Sequence, residues 1–189
     1  MTIFLILAPY SVLAALMLIA SNTTSLFAAA AICLSVILYD ALGGRSVKAL
    51  GLGSTIIFAS FGAYLALTNA TWSGAAVKLA VDLGVLTIAL VSLALRKPFT
   101  LQYAREMVNA ETAGLPDFVA ANYVITWAWV VAFLLMIAAN ALLIYVPGLP
   151  LWSGIAIVFA ARNTAVYFTR WYPDHRSARH AAKAIAAGS

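Results

Sequence analysis

The chain has 189 residues, of which 65% are hydrophobic and only 9% are charged, and it carries a formal net charge of +5. Soluble domains are about half apolar and about a quarter charged, so this composition excludes an ordinary soluble globular domain. The apolar residues come in blocks long enough to span a hydrocarbon core of about 30 Å, which predicts an all-α polytopic membrane protein.

Six such blocks follow one another along the chain and predict a bundle of about six transmembrane helices. They are Ile3 to Ala20, Leu26 to Leu42, Leu50 to Leu67, Ser73 to Leu95, Phe118 to Tyr145 and Leu151 to Trp171. A cleaved signal peptide is the competing interpretation of the first block, but it lacks a positive n-region and its apolar stretch is too long. We therefore expect a transmembrane domain over residues 1–171 and a basic cytoplasmic tail over residues 172–189.

Nine of the lysines and arginines lie at or beyond the ends of alternate blocks, the second, fourth and sixth. They are Arg45, Lys48, Arg96, Lys97, Arg105, Arg170, Arg176, Arg179 and Lys183. Cationic residues accumulate in cytoplasmic loops, so this alternation predicts that both termini are cytoplasmic. It also accounts for the net positive charge, so we expect no binding of nucleic acid.

The fourth block carries two opposite charges, Lys78 and Asp82, which lie four residues apart and therefore on one face of a helix, where they can pair. Counting about 1.5 Å per residue places Asp82 near the midplane of the bilayer, with Arg162 of the sixth block at a similar depth. Asn140 falls near the level of Lys78. We expect an intramembrane polar cluster of these four residues and Asn163, with an Asp82–Arg162 ion pair.

Two interpretations of this polar cluster remain open. Ionisable groups inside a membrane generally mark an ion or substrate pathway, which would indicate a small transporter or channel. The alternative is a self-neutralised cluster that fixes helix register, and this is favoured because opposite charges at pairing distance need no ligand. A water-filled cavity reaching Asp82 would favour the pathway. On the opposite side of the same helix, a row of small residues, Ala76, Ala80 and Gly84, predicts close approach of a neighbouring helix.

After the fourth block, Phe99, Tyr103 and Met107 recur every four positions and predict a short helix lying in the membrane interface. Cations surround this segment and continue into the tail, where they predict contacts with anionic lipid headgroups at the cytoplasmic face or with protein partners. The predicted contact residues are Arg96, Lys97, Arg105, Arg176, Arg179 and Lys183.

The sequence contains no arrangement typical of a metal site or of an enzyme. Its one cysteine, Cys33, lies in an apolar block, and its two histidines, His175 and His180, lie in the tail. No zinc or haem spacing, HExxH motif or Gly-x-Ser-x-Gly motif is present. We therefore expect no cofactor, no metal and no catalytic residues.

A series of residues spread along the whole chain forms a pattern found in one family of membrane proteins. They are Phe4-Leu5, Pro9, Lys78, Arg96-Lys97-Pro98, Trp129, Phe133, Asn140, Tyr167, Arg170 and Pro173. In order and spacing they resemble the intracellular septation protein A family of small bacterial inner-membrane proteins. The resemblance implies a non-enzymatic, multi-pass protein of the bacterial inner (plasma) membrane that supports cell-envelope maintenance or division through protein or lipid partners. Asp82 and Arg162 have no counterpart in that pattern.

Overall fold

The structure, a computed structural model, describes the backbone of residues 2–187 and the side chains of residues 8–176. Over this part of the chain all regular elements are helices, which confirms the predicted all-α class. They are α1 (Thr2–Leu16), α2 (Asn22–Leu42), α3 (Ala49–Thr68), α4 (Gly74–Ala94), α5 (Phe99–Ala104), a 3₁₀ turn (Arg105–Met107), α6 (Ala110–Gly114), α7 (Pro116–Tyr145) and α8 (Leu151–Ala187).

Polar residues at the breaks between the apolar blocks set the ends of these helices. The Ser21 hydroxyl accepts a hydrogen bond from the backbone N–H of Thr24 (3.1 Å), and the Ser73 hydroxyl accepts one from Ala76 (3.2 Å). Each serine satisfies a backbone N–H that the first helical turn leaves without an intrahelical partner. At the end of α3, Asn69 adopts the left-handed conformation (φ 52°) that commonly closes a helix.

Five helices of the described chain are long and apolar enough to cross a membrane. They are α2, α3, α4, α7 and residues Leu151–Arg176 of α8. A soluble bundle would not need five separate helices of this length and hydropathy, and the structure therefore supports a multi-pass membrane protein.

The first predicted span, Ile3 to Ala20, corresponds to α1, which has only 15 residues. At 1.5 Å per residue α1 is about 22 Å long, less than the roughly 30 Å of a hydrocarbon core. Beyond Leu16 the backbone tightens, since the N–H of Ile19 bonds to the carbonyl of Leu16 three residues earlier (3.0 Å). A sixth span stays a prediction.

The helix that contains the last predicted span does not end at Trp171. Helix α8 continues through Pro173 to Ala187, so the expected boundary between residues 171 and 172 is not a break in the helix. A proline inside a helix removes one backbone hydrogen bond but does not end the helix here. The tail is thus a helical extension of the last span.

The long helices pack in chain order, α1 on α2, α2 on α3, α3 on α4, α4 on α7 and α7 on α8. The row is curved, because side chains of both α1 and α8 line a single cavity. We name the end that contains Arg45, Lys48, Arg96 and Lys97 the basic end of the bundle. The other end, where α4 and α8 begin, is the opposite end.

Helices α3 and α4 interlock through two glycines and two isoleucines. A Cβ atom added at Gly84 would lie 2.7 Å from Cδ1 of Ile57, and one added at Gly53 would lie 2.5 Å from Cδ1 of Ile88. Each helix therefore offers a glycine and, four residues later, an isoleucine that fills the gap above the partner glycine. Gly84 thus faces α3, and the space above it is filled by the side chain of Ile57; close backbone approach along Ala76, Ala80 and Gly84 stays a prediction.

We expect Gly84→Ala to lower the free energy of unfolding by about 1–3 kcal/mol, because the added methyl overpacks the side chain of Ile57. Unfolding titrations in mixed detergent would measure the change. The double variant Gly84→Ala with Ile57→Val removes the clashing Cδ1 atom and should be more stable than the sum of the two single changes. Gly114→Ala is the control, since its Cβ would meet nothing within 4 Å. Unchanged stability of Gly84→Ala would contradict the close approach.

Candidate functional site

A cavity of about 280 Å³ lies between α1, α4, α7 and α8. We name it the groove. Its charged and amide-bearing lining residues are Lys78, Asp82, Asn140 and Arg162. The rest of its wall is mostly apolar, and its aromatic rings are Tyr10, Phe99, Trp129, Phe133 and Phe159. Four of the five residues of the predicted polar cluster thus line one cavity.

Asp82 and Asn140 form the direct contact within this set. The side-chain amide of Asn140 donates a hydrogen bond to Oδ2 of Asp82 over 2.9 Å, and both residues are buried. The same amide nitrogen donates to the backbone carbonyl of Met136 (3.1 Å), which fixes its orientation on α7. The bond joins α4 to α7 and holds the carboxylate at the groove wall.

The expected ion pairs of Asp82 are absent. Among the described side chains no lysine or arginine nitrogen lies within 4.0 Å of its carboxylate, and the four ion pairs of this part of the chain all involve other acids. Direct Lys78–Asp82 and Asp82–Arg162 bridges are therefore not formed, although Lys78 still interacts electrostatically with Asp82. Helical side chains lean toward the helix N-terminus, so a lysine four residues before an acid extends away from it, the less favourable order for pairing.

Asn163 does not join the cluster. Its side chain is exposed, and its amide donates to the backbone carbonyl of Phe159 in its own helix (2.7 Å). A residue next to Arg162 in sequence points about 100° away around the helix, which carries Asn163 off the groove side of α8. Arg162 and Asn163 have nearly the same depth in the membrane, so depth alone does not show that they point to different sides of α8.

A second cavity, of about 200 Å³, opens near the basic end and lies between α1, α2, α3 and the segment after α4. We name it the basic-end cavity. Its polar lining residues are Tyr10, Cys33, Tyr39, Asp40, Arg45, Lys48, Ser54, Tyr103 and Glu106. Tyr103 lies in α5, outside the spanning helices, and burial raises the pKa of its phenol.

Lys48 is the centre of an ion network in this cavity. Its side chain is 5% exposed, and its Nζ lies 2.6 Å from Oδ2 of Asp40 and 3.0 Å from Oε2 of Glu106. Arg45 lies 3.5 Å from the same aspartate but is half exposed. The network joins the end of α2 to the 3₁₀ turn after α5. This network is not predicted above: Asp40 and Lys48 on either side of Gly43-Gly44 are a usable sequence signal for it, whereas no local pattern points to Glu106.

The two cavities share part of their walls. Tyr10 and Leu50 line both of them. The Tyr10 hydroxyl is hydrogen-bonded to the Ser54 hydroxyl, and its ring packs edge-on against Phe58 with centroids 5.5 Å apart. These side chains therefore separate the groove from the basic-end cavity.

The predicted short helix after the fourth span exists as α5 and packs one face against the bundle; its position in the membrane interface stays a prediction. Phe99 and Thr100 are buried, and the Thr100 hydroxyl lies 2.7 Å from that of Thr126 in α7. The side chain of Gln102 accepts a hydrogen bond from the backbone N–H of Ala49 (2.7 Å), which caps α3. The helix becomes a 3₁₀ turn at residue 105, and this change of period leaves Met107 exposed.

The predicted headgroup contacts differ in their surroundings. Arg96, Lys97 and Arg105 are exposed at the basic end. Arg176 donates to Oδ1 of Asp117 at the start of α7 over 2.7 Å. The side chains of Arg179 and Lys183 lie outside the described residues. Contact of any of these cations with lipid or with a partner stays a prediction.

The fold and the two cavities define the class as a multi-pass α-helical membrane protein. Comparison of the chain with protein-family models, with curated proteins and with solved structures finds no match. The resemblance to the intracellular septation protein A family, the envelope role that it implies and the absence of enzymatic activity therefore stay predictions. Among the described side chains, no group of three or more His, Cys, Asp or Glu residues could hold a metal ion.

We expect Lys48→Met to lower the free energy of unfolding by roughly 3 kcal/mol, because it leaves two carboxylates without their shared buried cation. Arg45→Met is the matched control on the same aspartate; its pair is half exposed and should contribute less than about 1 kcal/mol. Detergent unfolding titrations of both variants would measure the difference. Equal losses would contradict a central role for Lys48.

Proposed function

We propose that the protein is a small transporter of the bacterial inner membrane that carries an anionic solute through the groove and the basic-end cavity. The observation that supports this proposal is the lining of the groove by two cations that form no direct ion pair with a carboxylate of the described residues. Lys78 and Arg162 both line the groove, and no carboxylate of the described residues lies within 4.0 Å of either.

The energetics of charge inside a bilayer favour a ligand for Arg162, which lies about 16 Å along its span, whereas Lys78 lies only one turn from the start of α4. An arginine or lysine at the centre of a spanning helix costs about 2.5–3.5 kcal/mol on insertion scales. A cluster that serves only to hold helices together would lower this cost by internal pairing, as the network around Lys48 does. The groove instead has two cations and one acid, Asp82, for a formal charge of +1. An anion complements that charge.

The two cavities also suggest a route. Lys78 lies one turn from the start of α4 at the opposite end, and Arg45 lies at the basic end. Between them the groove and the basic-end cavity are separated by the layer of Tyr10 and Leu50, which line both. In the proposed mechanism this layer is the barrier, and its displacement connects the two cavities. The basic end faces the cytoplasm in this proposal, in keeping with the positive-inside rule.

Cys33, the one cysteine of the chain, lines the basic-end cavity and can report on the barrier. We expect a membrane-impermeant thiol reagent to modify Cys33 faster in inverted vesicles than in spheroplasts. Tyr10→Ala should raise the spheroplast rate at least several-fold, because it removes the ring that separates the cavities. Quantitative mass spectrometry of the labelled protein would measure both rates.

Tyr64→Ala is the matched control, since Tyr64 is an exposed tyrosine away from both cavities. It should leave the sidedness unchanged, and Cys33→Ser should abolish labelling. If Cys33 in the Tyr10→Ala variant is labelled only from the side from which it is labelled in the wild type, Tyr10 is not the barrier.

Anion flux tests the function itself. Benzenesulfonate is a suitable probe because its permanent charge prevents passive crossing of the bilayer. We expect reconstituted protein to release it from loaded phosphatidylcholine vesicles, and Arg162→Gln to slow release at least tenfold through loss of the groove cation. Arg170→Gln, at an exposed position of the same helix, should release the probe at the wild-type rate. Equal release by vesicles with and without protein would contradict the proposed function.

A further inference from the structure

We propose that the solute is an organic monocarboxylate with an apolar body of about ten non-hydrogen atoms, and that it enters the groove from the lipid phase. This inference rests on the transport function proposed above, whose substrate class it names. Four features of the groove carry it: its net charge, the order of its lining residues along the membrane normal, its volume and the side on which it opens.

The charge balance favours a single negative charge. With Asp82 ionised, Lys78, Arg162 and Asp82 sum to +1, so one carboxylate then neutralises the groove, whereas a phosphate monoester would leave an excess of negative charge. The Asp82 carboxylate is buried and engaged with Asn140. The guanidinium of Arg162 matches a carboxylate geometrically, because its planar fork donates two parallel hydrogen bonds.

Polar and aromatic lining residues follow one another along the groove. Counting 1.5 Å per residue from the opposite end, Lys78 lies at about 6 Å and Arg162 at about 16 Å. Phe133 lies near the level of Arg162, and Trp129 lies about 6 Å deeper, with Phe99 near the basic end. A ligand with its carboxylate among the cations would therefore place an apolar body against aromatic rings.

The volume limits the size of that body. A cavity of about 150 Å³ accepts benzene, so the roughly twofold larger groove, at about 280 Å³, accommodates about ten to twelve non-hydrogen atoms. An aromatic acid or a medium-chain fatty acid has this size. A phospholipid with two full acyl chains is several times too large to be enclosed.

The groove opens toward the bilayer on the α8 side. Ile155 and Phe159 both line it, yet they are 53% and 67% exposed, on a helix that spans the membrane. Helices α1 and α8 are also the two ends of the packed row. A solute that has partitioned into the bilayer thus reaches the groove without crossing a packed helix interface.

Fluorescence quenching by a brominated acid tests this inference. Bromine quenches indole fluorescence only at close range, and Trp129 lines the groove whereas Trp127 is exposed on the other side of α7. We expect 4-bromobenzoate to quench the wild type saturably in phosphatidylcholine nanodiscs. Trp127→Phe should keep the saturable quenching and Trp129→Phe should lose it. Arg162→Gln should raise the apparent Kd at least tenfold, with Arg170→Gln unchanged.

Matched brominated probes test the charge. Bromobenzyl alcohol and bromobenzylammonium have a similar apolar body without the negative charge and should not quench saturably. Bromophenylalanine would place an ammonium at Asp82, so equal quenching by this zwitterion would overturn the monoanion assignment. Displacement of bromobenzoate by inorganic phosphate, or loss of quenching in nanodiscs containing phosphatidylglycerol, would overturn it in favour of a free phosphate or a lipid headgroup.

Negative results in the binding and flux experiments overturn different proposals. Saturable quenching by 4-bromobenzoate without release of benzenesulfonate would remove the transport function and leave a monocarboxylate site. Release of benzenesulfonate without any saturable quenching would keep the transport function and remove the substrate class. Absence of both would overturn both proposals.

Discussion

The hydrogen bond between Asn140 and Asp82 is the contact on which the arrangement of the groove depends. It joins α4 to α7 inside a medium that offers no water to a carboxylate. The amide of Asn140 bonds to Oδ2 of Asp82, and no lysine or arginine nitrogen of the described side chains lies within 4.0 Å of this carboxylate. Lys78 and Arg162 line the same cavity as this contact, so the groove combines two cations with one carboxylate that is fixed to α7.

At the basic end of the same bundle, by contrast, a buried cation is paired directly with carboxylates. There Lys48 is buried between two carboxylates, and the network is closed by a second cation, Arg45, that reaches solvent. The chain thus neutralises a buried lysine where it fixes the connection between α2 and the turn after α5. This contrast argues against a purely structural role for Lys78 and Arg162. Where a buried cation of this protein fixes a connection between helices, as Lys48 does, it is paired directly with carboxylates.

The apolar blocks and the depth counted along them predicted much of this structure. They did not predict which side chains pair or how α5 packs against the bundle. The apolar blocks gave the long helices within a few residues, and counting along them brought Asp82, Asn140 and Arg162 to one cavity. Which side chains form hydrogen bonds or ion pairs depends on how each helix is rotated about its axis. Depth does not determine this rotation, and Asn163, one residue after Arg162, was therefore wrongly assigned to the groove. The contact between Lys48 and Glu106 joins residues 58 apart through the docking of α5, which no local pattern encodes.

The length and position of α1 bear on how the two cavities could connect. This helix carries Tyr10, packs mainly against α2 at the end of the row, and is the shortest of the long helices. Elements with few packed neighbours open at lower free energy than those at the centre of a bundle. Tyr10 itself is held by one hydroxyl contact and one aromatic contact, both to α3. In the proposed mechanism the separation of the cavities depends on α1, and a shift of this helix would join them while the Asn140–Asp82 contact, between α4 and α7, stays intact.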